Sequence, residues 1–364
     1  MSYKKSKGIL TLSLVVILIV FSQWIPQIPI YERGIVVGCA IDLSDSGQVA
    51  LSAQLVVAGS SSGPDSKSAY AVITGEGESV ISALTAIAKE SAVVPSYAHC
   101  DTVLVSEDAI EDFKQTAYTL FSRGIFSGDC QVIAVKGKAK DALGESVPVQ
   151  DISAFYINRV LSINEKNGGR TTVSLKDFVE DSISKKSTPY LPYAESKKDA
   201  VATQGGGSDS KDKYIFDIGK ILVPMDEGNI IFDSEVTQGV GLVESKSGGV
   251  VFVKMEEDKF FTVQVIRTNQ SNSYEKGDTV NSYLLYSVRL IEHNFKTHAT
   301  DIDYKKLSGL VEEEIRKKIG HSYTTALDKG VDIFNLASRL EKYYGSAPKL
   351  GDIKWNLSVT VRFK

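Results

Sequence analysis

The chain has 364 residues with 41 basic and 45 acidic side chains, a formal charge of −4, and so no cationic field of the kind nucleic acid requires. Three cysteines, Cys39, Cys100 and Cys130, are an odd number in what reads as an exported chain. Cys39 and Cys130 stand in or beside apolar stretches and read as small buried hydrophobes rather than a disulfide framework, with one bonded pair left open.

Gly8–Trp24 carries no charge, and only Thr11, Ser13, Ser22 and Gln23 in it are polar. As a helix it reaches roughly 25 Å, close to the apolar thickness of a bilayer. Lys4, Lys5 and Lys7 hold residues 1–7 in the cytoplasm, Trp24 favours the far headgroup layer, and Pro26 and Pro29 stop the helix. Residues 8–24 are therefore expected to be a transmembrane signal anchor with the bulk of the chain extracytoplasmic. No small-residue cleavage site follows Phe21. The lipobox-like Val36–Cys39 lies beyond Glu32 and Arg33, away from the apolar run, so the anchor is read as uncleaved.

Gly34–Asp42 is almost wholly apolar and reads as a buried strand, turning through Ser44–Gly47 into a second strand at Gln48–Ala58. Gly59–Lys67 is a loop, and Ala69–Gly75 a short third strand. Ser79–Lys89 has helical spacing with Ser79 as N-cap, and Ile110–Ser122 repeats that periodicity. Thr102–Ser106 and Gln131–Lys136 are apolar strands, and Ala139–Leu143 is a short helix. Helices follow at Ile152–Ile163 and at Ser174–Ser182, the latter capped by Ser174. Lys197–Lys213, with three consecutive glycines and almost nothing apolar, reads as a linker.

From Tyr214 the pattern is strongly β: Tyr214–Val223, Gly228–Asp233, Gly249–Lys254, Lys259–Thr268 and Ser282–Glu292. A helix from Tyr304 to Ile319 has its stripe in Leu307, Leu310, Val311, Ile315 and Ile319, with Gly320 as an interruption. Asp332–Tyr344 is a further helix, and Trp355–Phe363 a closing strand. The expected fold is α+β, with mixed or antiparallel sheets packed by helices. The division is 34–196 (a further split near 146 left open), a linker over 197–213, and 214–364.

Four clusters carry chemistry-bearing residue types, and none has the spacing its chemistry needs. His293, His298, Asp301 and Asp303 match no zinc pattern, and an aspartate there suits a helix cap. His99, Cys100, Asp101 and Ser106 lack a nucleophile elbow. Gly75–Glu78 reads as an acidic turn and Gly205–Gly207 as linker, neither ending in the Lys-Ser/Thr of a phosphate loop. Glu256–Asp258 reads as a solvated hairpin tip. No catalytic, metal or cofactor residue is assigned, no cofactor is expected, and the chain is read as not an enzyme.

Ile35–Asp42 (IVVGCAID), followed by a turn and a return strand, resembles the Ger(x)C family, the C-subunits of bacterial spore germinant receptors. Phe21–Trp24 stands where the family carries its lipobox junction, with Gln23 in place of the lipidated cysteine. Ala98–Ile110, Arg123, Val132–Leu143, Ile231–Val243, Ser247–Phe252 and Ala326–Ala337 are similar to further family stretches, and Lys342–Tyr344 and Trp355 follow in order. The resemblance implies a non-enzymatic receptor subunit, partnered by A- and B-type subunits at the outer face of the inner spore membrane. The competing reading is a membrane-tethered solute-binding or envelope-scaffold protein.

Overall fold

The computed structural model describes residues 13–17, 33–56, 70–148, 150, 152–167, 172–184, 186–199, 212–245, 247–255, 258–295 and 302–364. Of the expected anchor, only residues 13–17 fall among these, and they are helical. No helix among the described residues is long and apolar enough to cross a membrane.

The first sheet is organised on β1 (Arg33–Leu43), whose side chains from Val36 to Asp42 are buried on both faces. That is the signature of a strand covered from both sides, and it explains the unbroken apolar run. β2 (Val49–Val56) and β3 (Tyr70–Gly77) extend the sheet antiparallel on one side of β1. On the other side β5 (Thr102–Ser106), β6 (Gln131–Val135) and β7 (Leu191–Lys198) run parallel to it, and the short β4 (Val94–Ser96) pairs its beginning. β8 (Tyr214–Val223) and β9 (Ile230–Phe232) close the order β3-β2-β1-β5-β6-β7-β8-β9.

Helices cover both faces. α1 (Val80–Glu90), α2 (Ile110–Ser122) and α5 (Leu175–Ile183) bury Ile87, Phe113, Leu120 and Phe178 on one side. α3 (Ala139–Gly144) and α4 (Ser153–Lys166) bury Leu143, Ile157 and Leu161 on the other. Ser79 caps α1 in a reciprocal box with Ser82, and Ser174 caps α5 through Asp177 N, as the sequence predicts. Gln54, fully buried on β2, ties α3 and α4 down: its Nε2 donates to Leu143 O at 3.2 Å, and its Oε1 accepts from Ala154 N at 3.3 Å.

The second sheet is β10 (Val250–Lys254), β11 (Phe260–Glu275), β12 (Thr279–His293) and β13 (Lys354–Phe363). β12 and β13 run parallel, making this sheet mixed as well. α6 (Ser234–Glu244), α7 (Tyr304–Asp328) and α8 (Leu336–Tyr344) pack on one face, burying Val263, Tyr286, Val288, Val311 and Ile315. The opposite face carries no helix among the described residues. At the outer edge, Glu312 of α7 accepts from Val361 N of β13 at 2.9 Å.

Several local expectations are corrected. Gly75–Gly77 is the end of β3 rather than an acidic turn. A Cβ on Gly75 would sit 2.6 Å from Ala83 O, so the glycines admit α1 against the strand. Lys197 and Lys198 belong to β7, and strand pairing runs across the expected linker: Lys198 faces Tyr214, and Asp199 N donates to Lys213 O at 2.8 Å. The first sheet thus takes β8 and β9 from beyond residue 214. Residues 234–244 form a helix because Asp233 caps Glu235 N and Val236 N, outweighing the β-branched content. Gly320 does not interrupt α7, because its absent side chain faces open space and the helix runs through. Asp332 lies outside α8 and accepts from Leu336 N at 2.9 Å and Ala337 N at 2.7 Å, and Asn335 takes a left-handed conformation between them.

Candidate functional site: a polar cleft between the two sheets

A cleft of about 450 Å³ opens where the first sheet meets α6 and the start of the second sheet. β8 supplies Phe216, Asp217, Ile218 and Gly219, α4 supplies Val160, Asn164 and Asn167, and α6 supplies Ser234, Thr237, Gln238 and Leu242. Val250, Val251 and Lys318 complete it. The walls are fixed by local bonds. Asn164 Nδ2 donates to Ile218 O at 3.3 Å, Lys318 Nζ to Gln238 Oε1 at 3.1 Å, and Tyr286 OH, from the second sheet, to Leu242 O at 2.7 Å. Asp217 pairs with Lys197 at 2.5 Å on the rim, and Glu195 with Lys220 at 2.6 Å on the adjoining strands. The Lys220 bond holds the Glu195 carboxyl below its usual range. The cleft combines an apolar floor with amide, hydroxyl and charged groups, a composition suited to binding a small polar molecule. None of its lining side chains pairs a nucleophile with a base.

The back wall depends on a close helix crossing. A Cβ on Gly239 of α6 would lie 2.7 Å from Lys318 O and 2.8 Å from Ser322 Cβ of α7. Ser322 Oγ, fully buried, donates into the same crossing, 3.0 Å from Val236 O.

Of the residues singled out in the sequence, none that the structure describes lines this cleft. His293 stacks on Phe295 at 4.2 Å, and Asp303 caps α7 by accepting from Lys306 N at 3.0 Å. His298 and Asp301 lie outside the described residues, as do Gly205–Gly207, Glu256 and Glu257. Asp258 closes the β10–β11 turn with a positive φ of 57°. Among the described residues no group of three or more His, Cys, Asp or Glu side chains is arranged to hold a metal ion.

Cys39, Cys100 and Cys130 are free and buried, as expected for small hydrophobes, but they lie close enough together that Cys100 perturbs both other thiols. Burial, then the Cys100 neighbour, pushes the Cys39 thiol well above its ordinary value. The Cys100 hydrogen bond and then burial do the same for Cys130. Ser106 stands at the end of β5, buried near Asp42. The Asp42 carboxylate accepts from Ala139 N at 2.6 Å and Lys140 N at 2.9 Å, anchoring α3 to β1. Burial nevertheless raises its proton affinity.

The cleft residues Asn164, Gln238 and Lys318 escape sequence reading because their neighbourhood is made by topology. Only the off-stripe position of Lys318 on α7 and the amides on α4 offered a signal.

Residues 26–196 match the family described as the spore germination protein N-terminal domain. No curated protein matches the chain. The crystal structure of the GerBC protein is similar at a TM-score of 0.47 with 13% identity, over 90% of this chain and 96% of that one. Residues 26–196 thus form a spore germination protein N-terminal domain, in line with the resemblance read from the sequence.

Proposed function

We propose that the chain is the non-enzymatic C-subunit of a nutrient germinant receptor, held at the outer face of the inner spore membrane beside A- and B-type subunits. The observation that carries the reading is the family match over residues 26–196. The membrane attachment is supported by Leu14, Val15, Val16 and Ile17, four consecutive apolar side chains on a helical stretch, all exposed. Leaving them in water forfeits about 25 cal/mol per Å² of apolar surface, which a bilayer would recover. With residues 8–24 as a single-pass anchor and residues 1–7 cytoplasmic, both sheets stand outside the membrane and serve as surfaces for the other subunits.

The cleft lined by Asn164, Asp217, Gln238 and Lys318 favours a second reading, a tethered solute-binding protein. One experiment separates them. Sporulating cells are fractionated, and the proteins that co-purify with the chain in mild detergent are identified. Recovery from the spore membrane with a multi-spanning partner, and loss of the nutrient response in deletion spores, is the expected result. A freely soluble chain, or deletion spores that germinate normally with no paralogue compensating, would refute the receptor reading.

A further inference from the structure

The helix-free face of the second sheet displays an unusual arrangement of charge. Strand register places Arg267 of β11 opposite Ser287 of β12, and Ser287 opposite Arg362 of β13, so the two arginines flank a serine in one row. At sheet spacing they stand roughly 10 Å apart. Arg289 lies two residues along β12, on the same face. All three are exposed, and none forms an ion pair among the described residues. Further along the same face of β12, beyond Leu285, Tyr283 is 51% exposed over a shallow depression of about 320 Å³ that also takes in Ser358, Thr360 and Arg362. Among the described residues the face's acidic side chains are Glu275 at one end and Glu292, the same-face neighbour of Arg289, toward the other.

We propose that this face docks an acidic segment of a partner protein, whose carboxylates are received by Arg267, Arg289 and Arg362, with Tyr283 as a contact at the end of the segment nearest Thr360 and Ser358. Guanidinium forks match carboxylates in bidentate fashion, which an ammonium does not. Tyrosine and arginine are also the side chains that dominate protein–protein hot spots. An anionic lipid surface is the poorer fit, because it asks only for positive charge rather than a fork, and of the lysines on this face Lys354 is already paired with Asp278 at 3.0 Å. The surface lies outside residues 26–196, so the inference goes beyond the receptor assignment and does not depend on it.

The test uses the full chain in mild detergent and a fluorescein-labelled poly-glutamate peptide, with binding read by anisotropy. Three variants are compared with the parent: R267E/R289E/R362E, the milder R267Q/R289Q/R362Q, and a charge-matched control, K305E/K306E/K317E, on α7. Thermal melts of all four proteins establish that they fold. The expected result is at least about a tenfold loss of peptide affinity in both arginine variants and less than about twofold in the control. Equal losses in arginine and control variants, or no loss in the glutamine variant, would overturn the proposal. So would flotation with phosphatidylglycerol vesicles that the arginine variants abolish while peptide binding persists, because the occupant would then be lipid. Deletion spores with normal germination would remove the receptor reading and leave this binding result standing.

Discussion

Gly239→Ala adds one methyl group at the crossing of α6 and α7, and its consequence can be worked from the distances. The new Cβ would stand 2.7 Å from Lys318 O and 2.8 Å from Ser322 Cβ, where ordinary contact needs about 3.4 Å or more. Lys318 O is helix backbone and cannot rotate away, so the helices must part or bend. Overpacking of this kind costs about 1–3 kcal/mol. Replacing a mid-helix glycine by alanine returns up to about 1 kcal/mol. The net expectation is a loss of about 1–2 kcal/mol, seen as a midpoint lower by roughly 1–3 °C in a thermal melt followed by circular dichroism. Ser322→Ala removes the atom nearest the new Cβ, Ser322 Oγ, but leaves Lys318 O and the Cβ at 322, so Gly239→Ala in that background should cost less without becoming free. A Gly239→Ala protein as stable as the parent, or more stable, would mean that helix propensity outweighs the crossing and that the helices are not held this close.

Gln54→Leu strands Ala154 N–H in the core, Leu143 O keeping its bond from the Ser153 hydroxyl, and should cost about 1–3 kcal/mol, read as a lower urea midpoint. Burial raises the Asp332 carboxyl above its unfolded value despite two N–H donors, so its favourable contribution is complete below the unfolded pKa and is lost as pH rises through the folded one. Asp332→Asn lacks that titration, so the parent's advantage over the variant should shrink between about pH 3 and pH 7, and unfolding midpoints at the two ends check the sign. All three cysteines should stay silent to a thiol reagent in the native protein and react after unfolding, and a thiol count below three would show a disulfide.

Local chemistry was legible where it was self-contained. Apolar runs gave β1, β5 and β6 directly, and Ser79 and Ser174 announced their helices because a cap is a contact within a few residues. Where a distant partner decides, the sequence was silent or misleading. Residues 234–244 look β-branched and glycine-rich, yet Asp233 and the surface of α7 make them a helix. Gly75 and Gly77 look like a turn until α1 is laid against them. The cleft was invisible for the same reason, since its amides come from α4 and α6, which meet across β8 only in the fold.

The pairing of β7 with β8 has a practical consequence. Asp199 and Lys213 meet across a hydrogen bond at the end of a ladder, so the chain between them enters and leaves the sheet at one point. Lengthening such a connection is cheap, about 0.6 kcal/mol for each doubling. An epitope or fluorescent domain inserted there would report on the intact protein in living spores. It would leave the apolar terminus and the arginine face untouched, which a fusion at Lys364, one residue beyond the end of β13, would not.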